Sequence, residues 1–319
     1  METSAVEASP HEFRAPFSGA VAGLVSKSIL HPLDLINLRM KIQRHPTPKH
    51  ANIFRSIQTI LREEGFRGYF GGLGTTMMSS PVCAATYFGT YETLKAAALP
   101  HVAERNHSVV FFMSGACSEV LISAISVPSE VIKSRLQLGR NPHAASGGAI
   151  KYTSNYRSTF HAAFSIVRSE GVRGLYSGYS ACLSVDTFYS AFSFLFYETL
   201  KNRYKQYVTE KEQHERALTT MESLALGSLA GGGAALITNP LDVVTVRLMT
   251  QGKNKVYKGL THCFTEILRR EGVVGLWKGA SCRTFAVMPQ AGICFGVYET
   301  IKHMLFDGEL EDFDVDDAL

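Results

Sequence analysis

The sequence lacks the patterns that mark disulfide-bonded, zinc-binding and catalytic proteins. None of its six cysteines forms a CxxC pair, and three of the six lie in apolar segments, so we expect free thiols rather than disulfides or a zinc site. Its eleven histidines fall mostly in loops or near segment ends, and no nucleophile motif accompanies them. The sequence therefore predicts no catalytic residue, no bound metal and no cofactor, and the protein is not expected to be an enzyme.

The start of the chain lacks an apolar run. Residues 1–14 hold three Glu and a single Arg, which fits neither a secretory signal nor an Arg-rich transit peptide. We therefore expect any targeting address to be internal.

Basic residues are missing from the other end of the chain. The last thirteen residues, 307–319, hold seven acids and no Lys or Arg, and we expect this tail to be disordered and solvated. The rest of the chain carries 32 basic residues against 21 of the 28 acidic ones, a net charge of +11. That balance is compatible with nucleic acid, anionic lipid or anionic solutes as partners, and equally with basic loops beside a membrane.

A threefold repeat organises the chain. The segment HPLDLINLR, which begins at His31, recurs as VPSEVIKSR from Val127 and as NPLDVVTVR from Asn239. A Glu-Gly pair follows each copy of this segment, and a YETLK or YETIK run follows each Glu-Gly pair. The Glu of each Glu-Gly pair precedes the Glu of the next YE pair by 28 residues in all three copies. Independent patterns in one order define three repeats, which we place at 13–100, 108–205 and 218–306.

Each repeat contains two long apolar segments joined by a short amphipathic stretch. The long segments cover about 16–42, 73–97, 109–137, 179–203, 221–249 and 280–305, and at about 1.5 Å per residue each can cross a bilayer. A soluble helical solenoid is the alternative, but its repeats have about 33–47 residues. The basic linkers should face the negative-inside compartment, which puts both termini on the opposite side. The sequence thus predicts an all-α membrane protein with six transmembrane helices in three pseudo-symmetric repeats.

These motifs resemble the signature of the mitochondrial carrier family, in which Px[DE]xx[KR], then EG, then [YF][DE]xx[KR] occur in every repeat. The resemblance runs from Pro16 to Lys302. It implies a multi-pass six-helix barrel in the inner mitochondrial membrane that moves one small solute by alternating access, as a monomer. Its short amphipathic helices would lie in the matrix and both termini in the intermembrane space. Membrane lipid such as cardiolipin is an implied partner, and nucleic acid is not.

The proline motifs predict a gate on the matrix side. Pro32, Pro128 and Pro240 bend their helices because each removes a backbone hydrogen bond, and an acid follows two residues later in each copy. An ionisable group in a span is costly unless it is paired or wetted, so a ring of ion pairs can form a gate that opens. The residues assigned to this matrix gate are Asp34, Asn37, Glu130, Lys133, Asp242 and Thr245.

This gate departs from the family pattern. Only Lys133 keeps the basic residue, because Asn and Thr occupy the other two positions. If neighbouring repeats pair as in the family, Asp34 with Lys133 is the one available ion pair, and Glu130 and Asp242 face uncharged side chains. The opposite, cytoplasmic gate is complete, with Glu92, Lys95, Glu198, Lys201, Glu299 and Lys302. The unequal count predicts that the empty protein rests open to the matrix.

Charges in the middle of the spans predict the class of solute. The family's contact positions fall on residues that include no cation, whereas family carriers of nucleotides or di- and tricarboxylates usually present two or more. Lys27, Glu119 and Arg283 are further mid-span ionisable residues, and structural pairing across helices is the alternative role for each. Together with Asp186 they make two acids and two bases, which suits a zwitterion or a cation bearing a carboxylate. We assign substrate binding to Lys27, Ser79, Ser80, Val185, Asp186, Arg283, Ala286 and Val287.

Local resemblance narrows the candidates. Residues 118–135, including Glu119, are similar to the third helix of S-adenosylmethionine carriers, although those carriers have Arg where Ser126 and Val185 stand here. The first helix, with Lys27, looks more like that of thiamine-pyrophosphate or adenine-nucleotide carriers. We therefore expect a solute such as S-adenosylmethionine, with thiamine pyrophosphate, a nucleotide or a metal ion as alternatives. A non-transporting adaptor built on the carrier fold is an alternative of another class, favoured by the lost basic residues and the acidic tail.

Overall fold

The computed structural model describes residues 10–43, 50, 52–102, 107–138, 156, 158–212, 218–252 and 255–306. Within these ranges the side chains of residues 10–20, 108, 112, 210–212, 291, 298–299 and 301–306 are not described. The predicted acidic tail, residues 307–319, lies outside the described residues.

Six long α-helices, three short ones and three 3₁₀ turns make up the regular structure of the described residues, with no strand in these ranges. The long helices are α1 (Pro10–Ile42), α3 (Leu73–Ala98), α4 (His107–Gln137), α6 (Tyr179–Glu212), α7 (Thr220–Thr250) and α9 (Ala280–Phe306). The short helices are α2 (Ile53–Glu63), α5 (Thr159–Glu170) and α8 (Leu260–Leu276). Two described helices, over Val109–Gln137 and Thr220–Thr250, are long and apolar enough to cross a membrane by composition alone.

Each short helix packs its apolar stripe against the preceding long helix, beyond the proline. Ile60 of α2 packs with Leu35 and Ile36 of α1, and Ile166 of α5 packs with Ile132 of α4. The same contact recurs in the third repeat, where Ile267 of α8 packs with Val243 and Val244 of α7. The buried apolar core therefore lies at the ends of α1, α4 and α7 that follow the prolines, which we call the proline end. The end of the bundle that carries the YETLK and YETIK runs is the YExxK end.

Long helices of neighbouring repeats pack as the pairs α3 with α4, α6 with α7, and α9 with α1. The third repeat differs from the other two because its own long helices, α7 and α9, also pack closely along each other. Gly232 makes this possible, because a Cβ added there would lie 2.7 Å from Cγ of Met288. Gly231 lies at the same interface, where an added Cβ would be 3.4 Å from Cγ1 of Val287, an ordinary contact distance.

Candidate functional site: the proline-end ring and the mid-span residues

The Arg that ends each proline motif pairs with the Glu of the following Glu-Gly motif. In every pair both guanidinium Nη atoms donate to the two carboxylate oxygens, at 2.5–2.9 Å. The arginines are almost fully buried, none being more than 7% exposed. Two-pronged pairs of this kind fix the relative position of their elements, so each short helix is held against its long helix. The pairs are Arg39 with Glu64, Arg135 with Glu170, and Arg247 with Glu271.

The Nε atoms of these arginines donate to the next repeat. Their acceptors are backbone carbonyls near the ends of α4, α7 and α1, where the last four carbonyls of a helix have no partner inside it. The three arginines therefore join the proline ends of α1, α4 and α7 into a closed ring. The bonds are Arg39 to Gln137 O at 2.9 Å, Arg135 to Met249 O at 3.1 Å, and Arg247 to Lys41 O at 3.0 Å.

Repeat three adds a lysine to this ring. Lys278 Nζ donates to Glu271 Oε2 at 2.6 Å and to the backbone oxygen of Gln43 at 2.7 Å. Burial alone would raise the pKa of Glu271, but the hydrogen bonds and positive charges of Arg247 and Lys278 outweigh burial and hold that pKa below its ordinary value. Glu271 is therefore a carboxylate at neutral pH, and Lys278 links it to Gln43, the residue that follows α1.

Six glycines of the Glu-Gly motifs adopt positive φ, which residues with a Cβ rarely do. The first set follows α2 and α5 and interrupts α8, and the second set immediately precedes α3, α6 and α9. The six are Gly65, Gly171 and Gly272 in the first set and Gly72, Gly178 and Gly279 in the second. The second set also needs close approach: a Cβ on Gly279 would lie 2.7 Å from Oδ1 of Asn37, and one on Gly72 would lie 3.1 Å from the Lys133 oxygen. Each of the helices α3, α6 and α9 thus starts directly against the proline end of the next repeat.

The lysine that the sequence assigns to the matrix gate lies between two acids. Lys133 Nζ is 3.9 Å from Asp34 Oδ2 of repeat one and 3.6 Å from Glu130 Oε1 of its own helix. Glu130 is half exposed, whereas Lys133 is mostly buried. The cross-repeat contact is the one that the motif comparison predicts, and Glu130 shares the same cation.

Asp242 has two cations that the motif comparison does not predict. Lys41 Nζ of α1 donates to Asp242 Oδ2, and Arg283 Nη1 of α9 lies 3.1 Å from the same oxygen. Asn37, which the family pattern places opposite Asp242, packs against Gly279 instead. Thr245 is buried and donates to the backbone oxygen of Leu241 in its own helix. The expectation that Asp242 faces an uncharged side chain is therefore wrong, because Lys41 lies one helical turn beyond Asn37 and reaches across.

These contacts close the proline end. The proline end is therefore closed in the structure, whereas the count of signature charges predicts that this end is open at rest. The count included the six signature positions and omitted the arginine ring, Lys41 and Arg283, all of which hold this end together.

At the YExxK end the described pairs lie within single helices. Lys95 pairs with Glu92 at 2.6 Å, and Lys201 pairs with Glu198 at 3.3 Å. Both lysines also lie over the Tyr of their motif, at 5.3 and 5.7 Å from the ring centroid. The side chains of Glu299 and Lys302, the third copy, are outside the described residues. Pairing inside a helix leaves both described lysines available for acids of a neighbouring helix.

The mid-span charges fall into two groups. Lys27 and Asp186 are exposed in the protein, and Lys27 Nζ donates to Oγ of Ser80 at 3.2 Å. Asp186 is within electrostatic range of Glu119, another exposed acid, and of Glu130. Arg283 is committed elsewhere, since it is 12% exposed and paired with Asp242. Its guanidinium carbon also lies 5.8 Å from the ring centroid of Tyr189, three residues beyond Asp186.

The uncharged positions assigned to substrate contact divide in a similar way. Ser79, Ser80 and Val287 are partly exposed, so a solute can reach them. Val185 and Ala286 are 6% and 5% exposed and pack inside the protein in this state. Of the positions assigned to substrate contact, a solute can therefore reach Lys27, the two serines, Asp186 and Val287, and Glu119 is a second exposed acid near Asp186.

Sequence reasoning missed the roles of six basic residues, which are the three ring arginines, Lys41, Lys278 and Arg283. The ring arginines stand seven residues after each proline in all three copies, so their recurrence was a signal that could have been used. A Gly four residues after each Glu of the Glu-Gly motif is a second unused signal, because a Cβ there would lie 2.5–2.7 Å from that Glu's Cβ. Lys41 and Arg283 have no counterpart in the other repeats, so comparison of the repeats could not have found their shared partner.

Comparison with known proteins points to one protein family. A family profile described as mitochondrial carrier protein matches residues 11–101, 104–208 and 216–309. S-adenosylmethionine carrier 1, chloroplastic/mitochondrial, of Arabidopsis thaliana is 31% identical, covering 92% of this chain and 79% of that protein. The probable S-adenosylmethionine carrier 2, chloroplastic, of the same plant is 30% identical over 92% of this chain and 74% of its own length. Mitoferrin-1 of Mus musculus is 28% identical over 92% of this chain and 84% of its length.

Proposed function

The chain belongs to the mitochondrial carrier family, and from this premise we propose that it carries a zwitterionic or cationic solute such as S-adenosylmethionine. Membership makes it an all-α membrane transporter of small solutes, as predicted, and a mitochondrial membrane protein. We place it in the inner membrane as a monomer, with the proline end toward the matrix and both termini in the intermembrane space. Exposed apolar and basic side chains on α2 and α5, such as Phe54, Arg55, Phe164 and Arg168, suit contact with an anionic lipid such as cardiolipin.

One observation supports the choice of solute: Arg283 is already paired with Asp242, so its charge is not available to the solute. Of the four mid-span ionisable residues predicted from the sequence, this leaves Lys27 as the base, with Asp186 and Glu119 as the acids. A site with two acids and one base favours a solute with one more positive than negative charge. S-adenosylmethionine has this balance, since it bears a sulfonium, an ammonium and a carboxylate. A polyanion such as a nucleotide or thiamine pyrophosphate would meet two repelling carboxylates.

A divalent metal ion is the second candidate. The similarity to mitoferrin-1 favours it, and so do the two exposed acids. Among the described residues, however, no three His, Cys, Asp or Glu side chains converge as a ligand group. The organic cation therefore remains our preferred solute, because it needs two separated charges rather than converging ligands.

The test is uptake by the purified protein in liposomes. Labelled S-adenosylmethionine, thiamine pyrophosphate, ATP and ferrous iron are compared, each with and without the same solute inside. We expect S-adenosylmethionine uptake that depends on internal solute. Uptake of iron or thiamine pyrophosphate in its place would reassign the substrate, and no uptake of any solute by correctly folded protein would favour the adaptor alternative.

Charge-matched variants locate the binding site. Asp186→Asn should lower S-adenosylmethionine uptake at low concentration by about tenfold or more, the size of one lost partly buried ion pair, whereas Asp186→Glu keeps the charge and should retain most uptake. Lys27→Ala should weaken uptake of the carboxylate-bearing solute, and Lys27→Arg should restore it. Normal uptake by Asp186→Asn would remove Asp186 from the site.

A further inference from the structure

Asp242 holds two cations that come from different parts of the ring. Lys41 belongs to α1 of repeat one, and Arg283 belongs to α9 of repeat three, the same repeat as Asp242 itself. Both cations meet the same oxygen, Oδ2. Lys41 is 1% exposed, so its charge depends on this carboxylate for compensation.

The contacts of Asp242 with Lys41 and with Arg283 lie at two different helix interfaces. Asp242 and Arg283 sit on α7 and α9, which pack along each other through Gly231 and Gly232. Lys41 sits across the boundary between repeats one and three. Parting of the proline ends of α1 and α7 must therefore break the Lys41 contact, whereas the Arg283 contact can persist within repeat three.

We propose that Lys41 is the gate lysine of this interface and that Arg283 is its release partner. Lys41 closes the proline end from a position one helical turn beyond Asn37, where the family pattern expects the cation. Arg283 keeps Asp242 compensated while the gate opens, so the carboxylate is not left as an unpaired charge inside the membrane. Both are positioning residues for the conformational change, and neither needs to touch the solute.

The other charged interface has the same arrangement. Lys133 contacts Asp34 across the boundary between repeats one and two, and it contacts Glu130 within its own helix at a similar distance. On opening, Lys133 can keep Glu130 just as Asp242 can keep Arg283. Each cross-gate pair thus includes one residue with an alternative partner in its own repeat, and this lowers the barrier to separation.

The proposal predicts opposite effects from removing the two cations. Without Lys41 the closed state loses its cross-gate bond, so the protein shifts toward the state open at the proline end. Without Arg283 the Asp242 carboxylate depends on Lys41 alone, so the protein shifts further toward the closed state. Two residues with a merely structural role at this carboxylate would shift the equilibrium in the same direction or leave it unchanged.

The experiment measures which side of the membrane reaches the middle of the bundle. A reporter, Ser79→Cys, is placed in full-length protein whose six native cysteines are replaced, and the protein is inserted in one orientation in liposomes. An impermeant methanethiosulfonate reagent is added outside or trapped inside, so no transported solute is needed and the result is independent of the solute's identity. The controls are Lys255→Met, an exposed lysine of the linker before α8, and the charge-conserving variants Lys41→Arg and Arg283→Lys.

We expect Lys41→Met to raise the ratio of labelling from the proline end by about tenfold or more, and Arg283→Met to lower it by a similar factor, the size of one charged hydrogen bond or close ion pair. The controls should keep the parent ratio. A shift of both variants in the same direction, or none in either, would overturn the proposal. If either variant fails to assemble, Lys41→Gln and Arg283→Gln test the same charges with polar side chains and are judged by the same criterion.

Discussion

Arg135 provides a sharp test of the proline-end ring. Its guanidinium makes two bonds to Glu170, donates through Nε to Met249 O, and reaches Gln251 O at 3.3 Å. Arg135 is 2% exposed and Glu170 is 8% exposed, so neither can turn to water without moving a helix. Arg135→Gln keeps much of the side-chain volume and removes the charge.

The expected loss of stability follows from the Glu170 carboxylate, which the substitution leaves without its partner. Gln cannot bind a carboxylate with two parallel N–H groups, so Glu170 stays buried with its charge uncompensated, which costs about 3–5 kcal/mol. At about 2–4 °C per kcal/mol, with the lower value for a chain of this size, the midpoint of thermal unfolding should fall by roughly 6–10 °C.

Buried thiols supply the assay. Cys263 and Cys282 are fully buried, so a thiol-reactive fluorophore reports their exposure as the purified protein is heated in detergent. Arg270→Gln is the matched control, because Arg270 is 70% exposed and pairs with Glu266 on the surface of α8. Exposed pairs contribute about 0–1 kcal/mol, so its midpoint should stay within roughly 2 °C of the parent.

The double variant Arg135→Gln with Glu170→Gln separates charge from shape. Removing both charges relieves the unpaired carboxylate, so the double variant should be more stable than Arg135→Gln alone. If the Arg135→Gln midpoint falls no further than that of Arg270→Gln, or if the two changes simply add, then the buried Arg135–Glu170 pair does not hold α5 against α4.

Three further predictions follow from the same end of the bundle. Gly279→Ala forces a Cβ into positive φ and to within 2.7 Å of Asn37 Oδ1, so it should lower the unfolding midpoint, whereas Gly227→Ala, which meets nothing within 4 Å, should leave it unchanged or raise it. Because the pKa of Glu271 is lowered in the folded protein, its contribution to stability is present above its ordinary pKa and is lost as pH falls through the lowered one. Glu271→Gln should therefore flatten the acid limb of the stability profile below about pH 4.5. Thr245→Lys offers Glu130 a cation across the uncharged boundary between repeats two and three, and should increase labelling of the Ser79→Cys reporter from the YExxK side.

The fold could be predicted from the sequence because three patterns recur in register. The expected spans 73–97, 109–137 and 221–249 differ from the observed helices by two residues at most at either end. The agreement has a local cause: apolar composition, a Gly that must adopt positive φ and the spacing of the motifs all act on neighbouring residues. Two spans are longer than expected: α1 begins at Pro10 rather than at 16, and α6 continues beyond 203 to Glu212 through mostly polar residues.

The pairing of charges at the gate could not be predicted in the same way. It depends on which side chains of different repeats end up opposite each other, and a shift of one helical turn is invisible to a comparison of aligned positions. Lys41 shows this, because it stands four residues beyond the vacant signature position and still reaches Asp242. Arg283 was assigned to the solute because its height in the span was predictable, whereas its direction was not.

The two kinds of contact at the proline end differ in how they tolerate sequence change. The ring arginines bind backbone carbonyls of the next repeat, and every sequence supplies a carbonyl at the end of a helix. The gate pairs need a side chain of opposite charge at a matching height in the neighbouring repeat, so substitution can move or remove them. This explains why the arginine ring keeps full threefold symmetry here. The charged pairs, by contrast, bridge only two of the boundaries between described residues, and the third boundary, between α4 and α7, is lined by Val127, Val131 and Met249.

In this arrangement the ring sets how the helices meet, and the side-chain pairs set how firmly each boundary stays closed. A change of gate residues in one repeat can then alter the balance between the two open states without altering the fold.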